Sequence, residues 1–474
     1  MVLKHLIVQL PGIGGSVLAR DGRPVWDLAA AKIARAVCAP DVVSLDGDDL
    51  EPVGLVDTMT VIPGLVAVSG YDGMIANLRR WFGPQLTVVD YLDGVPIPAQ
   101  TDVLRMPYDF RRSVTVAAQR LDRALAGTEA AQRGVVVLAH SMGGLVARSW
   151  VADFGGGKMC RALITLGTPF RGAPKALDVL VNGLRLGGLR HPGATRVIRE
   201  WPGAHELLPQ YPAVQITDRV CEPTDLAPEL VRAAGDAGAG ARFVARAREA
   251  AGVHDRMTAL WQESEVPELV PFYSRGHATP HWAGVAGGRL RVTAEDPSWR
   301  GNVGWFGDGT VPMVSAIPPE LSELPGRWHP VLEKHGDMGA TAGVRDLLTA
   351  LLGGTVPRRG GDSPDRPWLG LDLEDVVWTG SEHTIAAEVF GTEGPGTAAS
   401  VTVAGVRVPM VMRGNRWEAM LPDLPAGVHE VVVEARDPDD GAPVWGQARL
   451  VVAAPGDGWE PETDADPETG VAVS

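Results

Sequence analysis

The chain has 474 residues, 45% of them hydrophobic, which is enough for two or three domains with cores of ordinary size. Its net charge of −15 excludes a general nucleic-acid-binding role, because such proteins present a basic surface. The three cysteines, Cys38, Cys160 and Cys221, lie far apart, so their spacing indicates neither a disulfide framework nor a metal site.

The N-terminal segment predicts a buried strand that leads directly into a tight loop. Residues 3–10 are mostly apolar, and Pro11-Gly-Ile-Gly-Gly-Ser16 follows them with residue types that turns prefer. Only five residues, Leu6 to Leu10, lie between Lys4-His5 and Pro11, whereas a secretion signal has roughly 7–15 apolar residues. No stretch of the chain reaches the ~18 apolar residues of a membrane span. We therefore expect a cytoplasmic protein.

Strands and helices alternate along the middle of the chain. Apolar residues recur at helical spacing over 114–126, residues 135–139 form a short apolar run, and 143–152 again show a helical pattern. Residues 162–166 predict a further strand. Strand, helix and strand in this order are typical of a parallel sheet that is covered by helices.

The alternation stops at residues 171–300, which are rich in Arg, Pro, Gly and Ala and include an amphipathic stretch at 226–251. We predict that this region forms a cap inserted above the sheet, within which residues 269–273 are the first strong candidate for a strand. Residues 338–352, rich in leucine, predict a last helix. Together these elements predict a first domain of residues 1–355.

A second domain follows a linker rich in Pro, Gly and Arg at residues 356–368. Beyond the linker, short Val-rich segments recur at about 8–12 residues and are separated by Gly, Pro, Asp and Asn, which is typical of a β-sandwich. We predict an all-β sandwich over residues 369–454 and a disordered acidic tail over 455–474. The predicted strands are 375–378, 384–390, 400–411, 416–420, 428–435 and 444–452.

The strongest chemical motif is Ala139-His-Ser-Met-Gly-Gly144, which lies between a predicted strand and a predicted helix. A tight strand-to-helix turn exposes a serine oxygen at the edge of a sheet, and small residues around the serine let the strand and the helix approach. The usual pattern has a glycine where this chain has Ala139, a small residue that should still fit. The motif predicts Ser141 as a nucleophile. The competing interpretation is a serine that caps the start of the helix.

The loop Gly12-Ile-Gly-Gly-Ser16 predicts part of an oxyanion hole, in which two backbone N–H groups point at the charge that develops on the substrate. We predict Met142, the residue after the nucleophile, as one donor, and Ile13 or Gly14 as the other. A dinucleotide-binding loop is disfavoured because Val17 stands at the third glycine position, and the sequence has no Gly-Lys-Ser or Gly-Lys-Thr of a P-loop. A plain turn is the remaining interpretation.

Asp308 and His335 complete a predicted triad. Asp308 stands between two glycines after an apolar pair, which suits a strand-end loop that orients a histidine, although an ordinary Asp-Gly turn gives the same pattern. In the fold class that uses such serine turns, the acid follows the serine and the histidine follows the acid. Both His329 and His335 satisfy this order. We favour His335, because it immediately precedes the last predicted helix.

No metal or organic cofactor is predicted. His277 and His281 are four residues apart, but Pro280 disfavours the helix that a zinc motif would need, and no H-E-x-x-H motif occurs. Acyl transfer by a serine, a histidine and an acid needs no metal.

Six segments of the chain occur in an order that a known family shares. They are Leu10-Pro-Gly-Ile-Gly-Gly-Ser-Val17, Pro107-Tyr-Asp-Phe-Arg111, His140-Ser-Met-Gly-Gly-Leu-Val-Ala-Arg148, Leu166-Gly-Thr-Pro-Phe-Arg-Gly-Ala-Pro174, Gly307-Asp-Gly-Thr-Val-Pro312 and Lys334-His-Gly-Asp-Met338. They resemble the lecithin:cholesterol acyltransferase-like lipases and acyltransferases, within the α/β-hydrolase superfamily. Residues 417–427 resemble part of a bacterial immunoglobulin-like module.

The resemblance covers about residues 5–352 and implies an α/β-hydrolase fold with a mostly parallel sheet and an inserted cap. It implies Ser141, Asp308 and His335 as the catalytic triad, and it implies Ile13 and Met142 as the oxyanion hole. The chain shows neither the secretion signal nor the cap disulfides of secreted animal members, which leaves a lipoprotein substrate unsupported.

The leading hypothesis is a serine-dependent lipid hydrolase or acyltransferase that cleaves acyl esters through an acyl-enzyme intermediate. One alternative is a soluble esterase or thioesterase for small or carrier-bound acyl groups. Another is a catalytically idle interaction protein that recruits a protein partner through its C-terminal module. Residues 177–190 mix Leu and Val with two arginines, so this part of the cap could contact an anionic membrane surface transiently, or it could pack on its own domain.

Overall fold

The computed structural model describes most of the chain. The described residues are 3–27, 39–46, 50–56, 60–62, 66–68, 71–186, 189–217, 219–231, 236–295, 306–352, 367–392, 394–438 and 440–453. Cys38, Trp305, the predicted tail at 455–474 and all but the last two residues of the predicted linker at 356–368 lie outside them.

The described residues up to 352 contain both strands and helices. The strands are β1 (Leu6–Leu10), β2 (Ser16–Arg20), β3 (Arg23–Trp26), β4 (Glu51–Leu55), β5 (Thr60–Ile62), β6 (Val66–Val68), β7 (Val88–Asp90), β8 (Val103–Arg105), β9 (Val135–His140), β10 (Cys160–Leu166), β11 (Arg185–Leu186), β12 (Leu189–Arg190), β13 (Val214–Ile216), β14 (Arg219–Cys221), β15 (Glu268–Ser274), β16 (His277–Ala278), β17 (Trp282–Ala286), β18 (Arg289–Thr293), β19 (Phe306–Gly307) and β20 (His329–Val331). The helices are α1 (Tyr71–Phe82), α2 (Val114–Leu125), α3 (Met142–Phe154), α4 (Pro174–Asn182), α5 (Pro192–Ile198), α6 (Pro202–His205), α7 (Ala239–Glu263), α8 (Met313–Ala316) and α9 (Ala342–Leu351).

Seven of the described strands form one parallel sheet in the order β20-β15-β10-β9-β1-β8-β7. β9 lies in the middle and is buried along its whole length, as expected for a Val-rich strand that is covered on both faces. Leu10 pairs with Ala139, and Leu166 pairs with His140, so β1, β9 and β10 end at the same edge. In parallel α/β sheets, ligands bind outside the carboxyl ends of the strands.

Helices cover both faces of this sheet. Because side chains alternate along a strand, Leu6 and Val8 belong to the core under α2, α3 and α7, whereas Ile7 belongs to the core under α1 and α9. Helix α2 begins after Ser113, whose side chain accepts a hydrogen bond from the Thr115 N–H and satisfies one of the free donors at the helix start.

The predicted cap, residues 171–300, is interrupted by a strand of the central sheet. β15 pairs in parallel with β10 and β20, so the first excursion above the sheet ends before Glu268. The chain then returns to the cap, because β17 pairs with β13 and β18. β15 is buried from Leu269 onward, and a strand buried on both faces has no alternation to mark its boundaries in the sequence.

The amphipathic stretch predicted at 226–251 becomes an α-helix only from Ala239. Helix α7 continues to Glu263 and packs against α3. Pro228 and Gly238 precede the helix, and both residue types are unfavourable inside a helix, which explains the late start.

The described residues 367–392, 394–438 and 440–453 form the C-terminal module. Its strands are β21 (Trp368–Asp372), β22 (Val376–Trp378), β23 (Thr384–Phe390), β24 (Ala399–Val403), β25 (Val406–Pro409), β26 (Val411–Arg413), β27 (Arg416–Met420), β28 (Gly427–Arg436) and β29 (Pro443–Ala453). β22-β29-β28-β24-β25 make one sheet, and this sheet shares an apolar core with β21, β23 and β27. The strand predicted at 400–411 is split, because Ala404 and Gly405 turn the chain with φ angles of 49° and 76°.

The second sheet of the module continues into the first domain. Its order is β19-β16-β21-β23-β27-β26, so β16 and β19 extend a sheet of the sandwich. His277 of β16 pairs with Gly307 on one side and with Leu371 on the other. Phe306 packs against Trp368 and Phe390, with ring centroids 5.9 and 4.8 Å apart. The sequence did not predict this joint sheet.

The parallel sheet between two helical layers, the serine turn at its carboxyl edge and the C-terminal sandwich confirm the predicted fold class. The chain has an α/β-hydrolase fold with an inserted cap and a C-terminal β-sandwich. In the described part of the chain, no helix combines the length and the apolar character that crossing a bilayer would require.

Candidate active site

Ser141 lies in the turn between β9 and α3. Its backbone has φ 52° and ψ −126°, a conformation that costs a non-glycine residue roughly 1–3 kcal/mol. The Ser141 side chain makes no capping hydrogen bond to α3, which contradicts the interpretation of this residue as a helix cap. A strained serine between a buried strand and a helix is instead typical of a nucleophile turn.

Small residues allow this turn to form. A Cβ atom added to Gly143 would lie 2.5 Å from a carbonyl oxygen of the loop after β1, and one added to Gly144 would overlap the Thr168 side chain. A Cβ atom on Gly12 would lie 2.9 Å from the Cβ of Ser141. The loop after β1 therefore packs directly on the serine, where the sequence predicts an oxyanion hole.

Asp308 and His335 form a buried hydrogen-bonded pair. His335 Nδ1 lies 2.7 Å from Asp308 Oδ2, and the two side chains are 2% and 1% exposed. Because a carboxylate only accepts, Nδ1 carries the proton, which leaves Nε2 as the basic nitrogen. The other carboxylate oxygen accepts the N–H groups of Thr310 and Val311 at 2.8 and 2.6 Å, so the acid is fixed on both sides.

The basic nitrogen of His335 has no proton donor in this structure. Nε2 is buried and lacks a hydrogen-bond partner among the described residues, so Ser141 Oγ does not hydrogen-bond to it. Ser141 itself is only 4% exposed. Catalytic hydrogen bonds are often long in free enzymes and shorten when substrate binds.

Residues 166–167 connect the serine to the acid–base pair. The Ser141 N–H donates to the Leu166 carbonyl oxygen at 2.9 Å. Gly167 has a φ of 59°, and a Cβ atom there would lie 2.6 Å from Asp308 Oδ2 and 2.9 Å from His335 Nδ1. One short segment therefore touches Ser141, Asp308 and His335, and the space beside the pair admits only a glycine.

A second connection runs through Tyr71 and His140. The His335 carbonyl oxygen accepts from His140 Nε2 at 2.9 Å, and the Tyr71 hydroxyl lies 2.9 Å from His140 Nδ1. A neutral imidazole that donates at Nε2 accepts at Nδ1, so the Tyr71 hydroxyl donates there, and its oxygen accepts the Gly12 N–H at 2.7 Å. Burial, and then the neighbouring His335, lower the pKa of His140 to about 3, which keeps the ring neutral. Sequence reasoning missed Tyr71, because nothing near it marks a site.

The hydrogen bond between Gly12 and Tyr71 limits which N–H groups of the loop after β1 can serve as oxyanion donors. The Gly12 N–H is committed to Tyr71, which favours the next N–H, that of Ile13, as predicted. Met142 is the first residue of α3, and N–H groups at a helix start have no acceptor within the helix. Met142 follows Ser141 in the chain, and Ile13 follows Gly12, which packs on Ser141. Their role as donors stays a prediction.

The other histidines considered from the sequence lie elsewhere. His329 is half-buried in β20 and stacks on Phe272, so the structure brings His335 and not His329 to Asp308. His277 is buried in β16, and its ring nitrogens have no hydrogen-bond partner within the part of the chain that the structure describes. His281 Nδ1 lies 3.1 Å from the Thr279 carbonyl oxygen. Within the described ranges, no group of three or more His, Cys, Asp or Glu side chains is placed to hold a metal ion.

One known family model matches part of the first domain. The family model of the PGAP1-like alpha/beta domain matches residues 110–185, which include α2, the serine turn and β10 but not Asp308 or His335. No curated protein sequence matches the chain.

Among solved structures, the chain is similar to the Bacillus licheniformis lipase BlEst2. The mature form is 13% identical with a TM-score of 0.34, over 74% of this chain and 92% of that chain. The propeptide form is 11% identical with a TM-score of 0.33, over 94% of this chain and 93% of that one. Fibronectin(III)-like modules of Clostridium thermocellum CbhA are 20% identical over 19% of this chain, with a TM-score of 0.17, and the match spans 47% of their length. These TM-scores are too low to support a fold assignment, so the assignment rests on the observed strand order.

Proposed function

We propose that the protein is a serine-dependent hydrolase or acyltransferase that cleaves acyl esters of lipids. The observation that carries the proposal is the buried His335–Asp308 pair, whose free Nε2 lies in the same cluster as a strained serine. The partial match to the PGAP1-like alpha/beta domain supports it independently, because the match includes the serine turn.

In the proposed reaction, His335 Nε2 takes the proton of the Ser141 hydroxyl while Oγ attacks the ester carbonyl carbon. The Ile13 and Met142 N–H groups hold the negative oxygen of the tetrahedral intermediate. His335 then gives the proton to the leaving alcohol, and Ser141 keeps the acyl group. Water or a second alcohol then loses a proton to His335 as its oxygen bonds to the acyl carbon. The bond from that carbon to Ser141 Oγ breaks, and His335 returns the proton to Oγ. Asp308 stabilises the imidazolium and holds its orientation throughout.

A lipid substrate is proposed from the family resemblance and from the character of the site. Ser141 lies among buried apolar residues, including Ile13 and Met142, and an acyl chain suits such surroundings. The apolar residues of α4, including Leu177 and Leu180, are buried in the same core, which favours a packed cap helix over membrane contact through this segment. A protein partner at the C-terminal module and a cytoplasmic location stay predictions.

The test compares wild type with Ser141→Ala and His335→Ala. Each protein is incubated with liposomes of mixed phospholipid and neutral lipid, with and without a long-chain alcohol, and the products are weighed by mass spectrometry. We expect free fatty acid or a new alcohol ester from wild type alone, and a circular dichroism spectrum shared by all three proteins. Turnover by folded Ser141→Ala would contradict the proposal.

A soluble esterase or thioesterase would use the same residues on a different substrate. Turnover of short-chain esters or thioesters, without turnover of liposomes, would select that function. A catalytically idle interaction protein would give no product and no reaction of Ser141 with a fluorophosphonate probe.

A further inference from the structure

We propose that the C-terminal module supports the proposed base through a few specific contacts, and that its Asp375 is a positioning residue that holds His335 through Lys334. The inference rests on the proposed function, because it assigns a second domain to the support of the predicted base.

The central contact joins Asp375 to the residue before His335. Lys334 Nζ lies 2.5 Å from Asp375 Oδ1 and donates to the Leu373 carbonyl oxygen at 3.3 Å. The Lys334 side chain is 7% exposed and that of Asp375 is 22% exposed, so the pair is largely removed from water. Asp375 is anchored in the module, since its carbonyl oxygen accepts the Val451 N–H at 3.0 Å.

The charges of this contact are well matched. Lys175 of α4 approaches the second oxygen of Asp375 at 3.5 Å. Burial raises the pKa of Asp375, but the charges of Lys334 and Lys175 outweigh burial and hold the pKa below its usual range. Burial and the nearby Lys334 lower the pKa of His277 to about 3, so this neighbour is neutral and does not compete for Asp375.

The module also contacts the chain on the C-terminal side of His335. Arg449 of β29 lies 3.0 Å from Asp337, two residues after His335, and the Asp337 N–H donates to the Lys334 carbonyl oxygen at 2.9 Å. The short loop that carries His335 is therefore bound to the module at both ends.

Asp308, the acid of the pair, is also connected to the module. Asp308 follows β19 directly, and β19 reaches β21 of the module through β16. The Leu371 N–H donates to the Gly276 carbonyl oxygen at 2.7 Å across this joint. The Arg275 guanidinium lies over the Trp368 ring at 4.9 Å. Both members of the acid–base pair thus depend on segments that the module braces.

These contacts explain why an ion pair outside the site should matter for turnover. Removal of one partner of a mostly buried ion pair leaves the other charge without compensation, so the loop must move to reach water. A displacement of about 1 Å at a catalytic group can cost on the order of 100-fold in rate. Substrate binding should change less, because the contacts described above join the module to the segments that carry the base and the acid.

The experiment uses the full chain and the variant Asp375→Asn. Turnover of a soluble para-nitrophenyl ester is expressed per active site, with sites counted by fluorophosphonate labelling. We expect kcat to fall by about 10- to 100-fold with KM within about twofold of wild type. The matched control is Asp372→Asn, three residues away, which removes an exposed ion pair with Arg416 inside the module. The control should keep the wild-type kcat.

A double variant separates positioning from loss of stability. Lys334→Met should lower kcat as Asp375→Asn does, and the double variant should be no worse than either single variant, because the two residues act as a unit. Additive losses, or a lower Tm with wild-type kcat per labelled site, would overturn the inference. If Asp375→Asn does not fold, Lys334→Met and Arg449→Ala provide the same measurement, and wild-type kcat in both would overturn the inference as well.

Wild type and Ser141→Ala are measured first in the same assay. If wild type shows neither Ser141-dependent turnover nor labelling, the proposed function fails, and the inference fails with it. If wild type turns over and Asp375→Asn matches it per active site, the proposed function stands and only the inference fails.

Discussion

The turn that carries Ser141 lies close to the hydrogen-bonded pair of Asp308 and His335, here called the acid–base pair. Different parts of the molecule position the turn and the pair. Ser141 is fixed by β1, β9, β10 and α3, all of which belong to the core of the first domain. Asp308 and His335 lie on loops that are also bound to the C-terminal module. The proposed nucleophile therefore depends on packing within one domain, whereas the proposed base depends on the fit between two.

This difference matters for how the two parts respond to change. Close packing makes the serine turn rigid, so a single added methyl group should disturb it severely. The acid–base pair is held by ion pairs and a strand joint, so changes at that joint should be graded. Variants that affect one part and spare the other can test this contrast.

The largest effect is expected at Gly144 in the serine turn. In Gly144→Ala the new methyl group overlaps the Thr168 side chain, so α3 must shift away from β10. We expect the free energy of unfolding to fall by about 1–3 kcal/mol and turnover to fall by about 100-fold. Urea denaturation and ester hydrolysis measure the two quantities.

The control for this variant is Gly252→Ala in the middle of α7. Apart from its chain neighbours and the nearby backbone of α7, no atom of the described residues lies within 4 Å of the added methyl group. Alanine also favours a helix over glycine by roughly 0.5–1 kcal/mol. Gly252→Ala should therefore be slightly more stable and fully active. A Gly144→Ala protein as stable and active as wild type would show that the turn is not closely packed, and the contrast would fail on the nucleophile side.

The contrast also explains what the sequence predicted. Ser141 stands out because its strand, turn and helix follow one another within a few residues, and His335 stands out because chain order leaves few candidates. The supports of the pair had no such signal. Tyr71 and Asp375 are ordinary residues that reach the site only through folding, and β16 is a two-residue strand.

Boundaries were less predictable than the elements themselves. The sequence placed the amphipathic cap stretch near the observed helix α7, but Pro228 and Gly238 delayed its start. The turn at 404–405 begins with Ala404, a residue that rarely takes a positive φ, so the sequence did not show where one predicted strand becomes two.

A smaller effect is expected at Tyr71, which connects the two parts. Tyr71→Phe removes the hydroxyl that accepts the Gly12 N–H and donates to His140, so both partners stay buried and unsatisfied. Such groups cost about 1–3 kcal/mol of stability. Because His140 holds the His335 carbonyl oxygen, we expect kcat to fall by about tenfold, in the range that one hydrogen bond to a support residue explains.

Tyr91→Phe is the matched control for this change. Tyr91 is also buried, and the Arg120 guanidinium lies 4.8 Å above its ring, a contact that phenylalanine keeps. We expect stability and kcat near the wild-type values. If Tyr71→Phe behaved as Tyr91→Phe does, the path through His140 would not support the base, and the module would be its main support.

The smallest effect on turnover is expected at Glu206, which joins the cap to α2. Its carboxylate accepts the Val114 N–H at 2.7 Å, and its carbonyl oxygen lies 2.7 Å from His254 Nε2. Burial raises the pKa of Glu206 to about 7, against the opposing hydrogen bonds from Ser113 and Val114. The folded protein therefore holds a proton at a pH where the unfolded chain has released it.

The sign of the pH dependence follows from this shift. A group with a raised folded-state pKa contributes stability that is fully present below its unfolded value, near 4.5, and that is lost as pH rises through about 7. Because of Glu206, the free energy of unfolding of wild type should fall by on the order of 3 kcal/mol between pH 4.5 and pH 8. The buried histidines His140, His205 and His277 have lowered pKa values and act in the opposite direction, so only a difference between two proteins isolates Glu206.

Glu206→Gln keeps an oxygen that can accept the Val114 N–H but does not titrate. We expect Tm of wild type, relative to Glu206→Gln, to fall between pH 5 and pH 8, while kcat of the two proteins at pH 7 stays within about twofold. A constant difference in Tm would show that Glu206 does not titrate in this interval. The comparison also matters for the acid–base pair, because a pH–rate profile reports on His335 only after pH-dependent unfolding has been separated from it. The pH–rate profile of Glu206→Gln should therefore report on His335 more directly than that of wild type, because Glu206 no longer contributes pH-dependent unfolding.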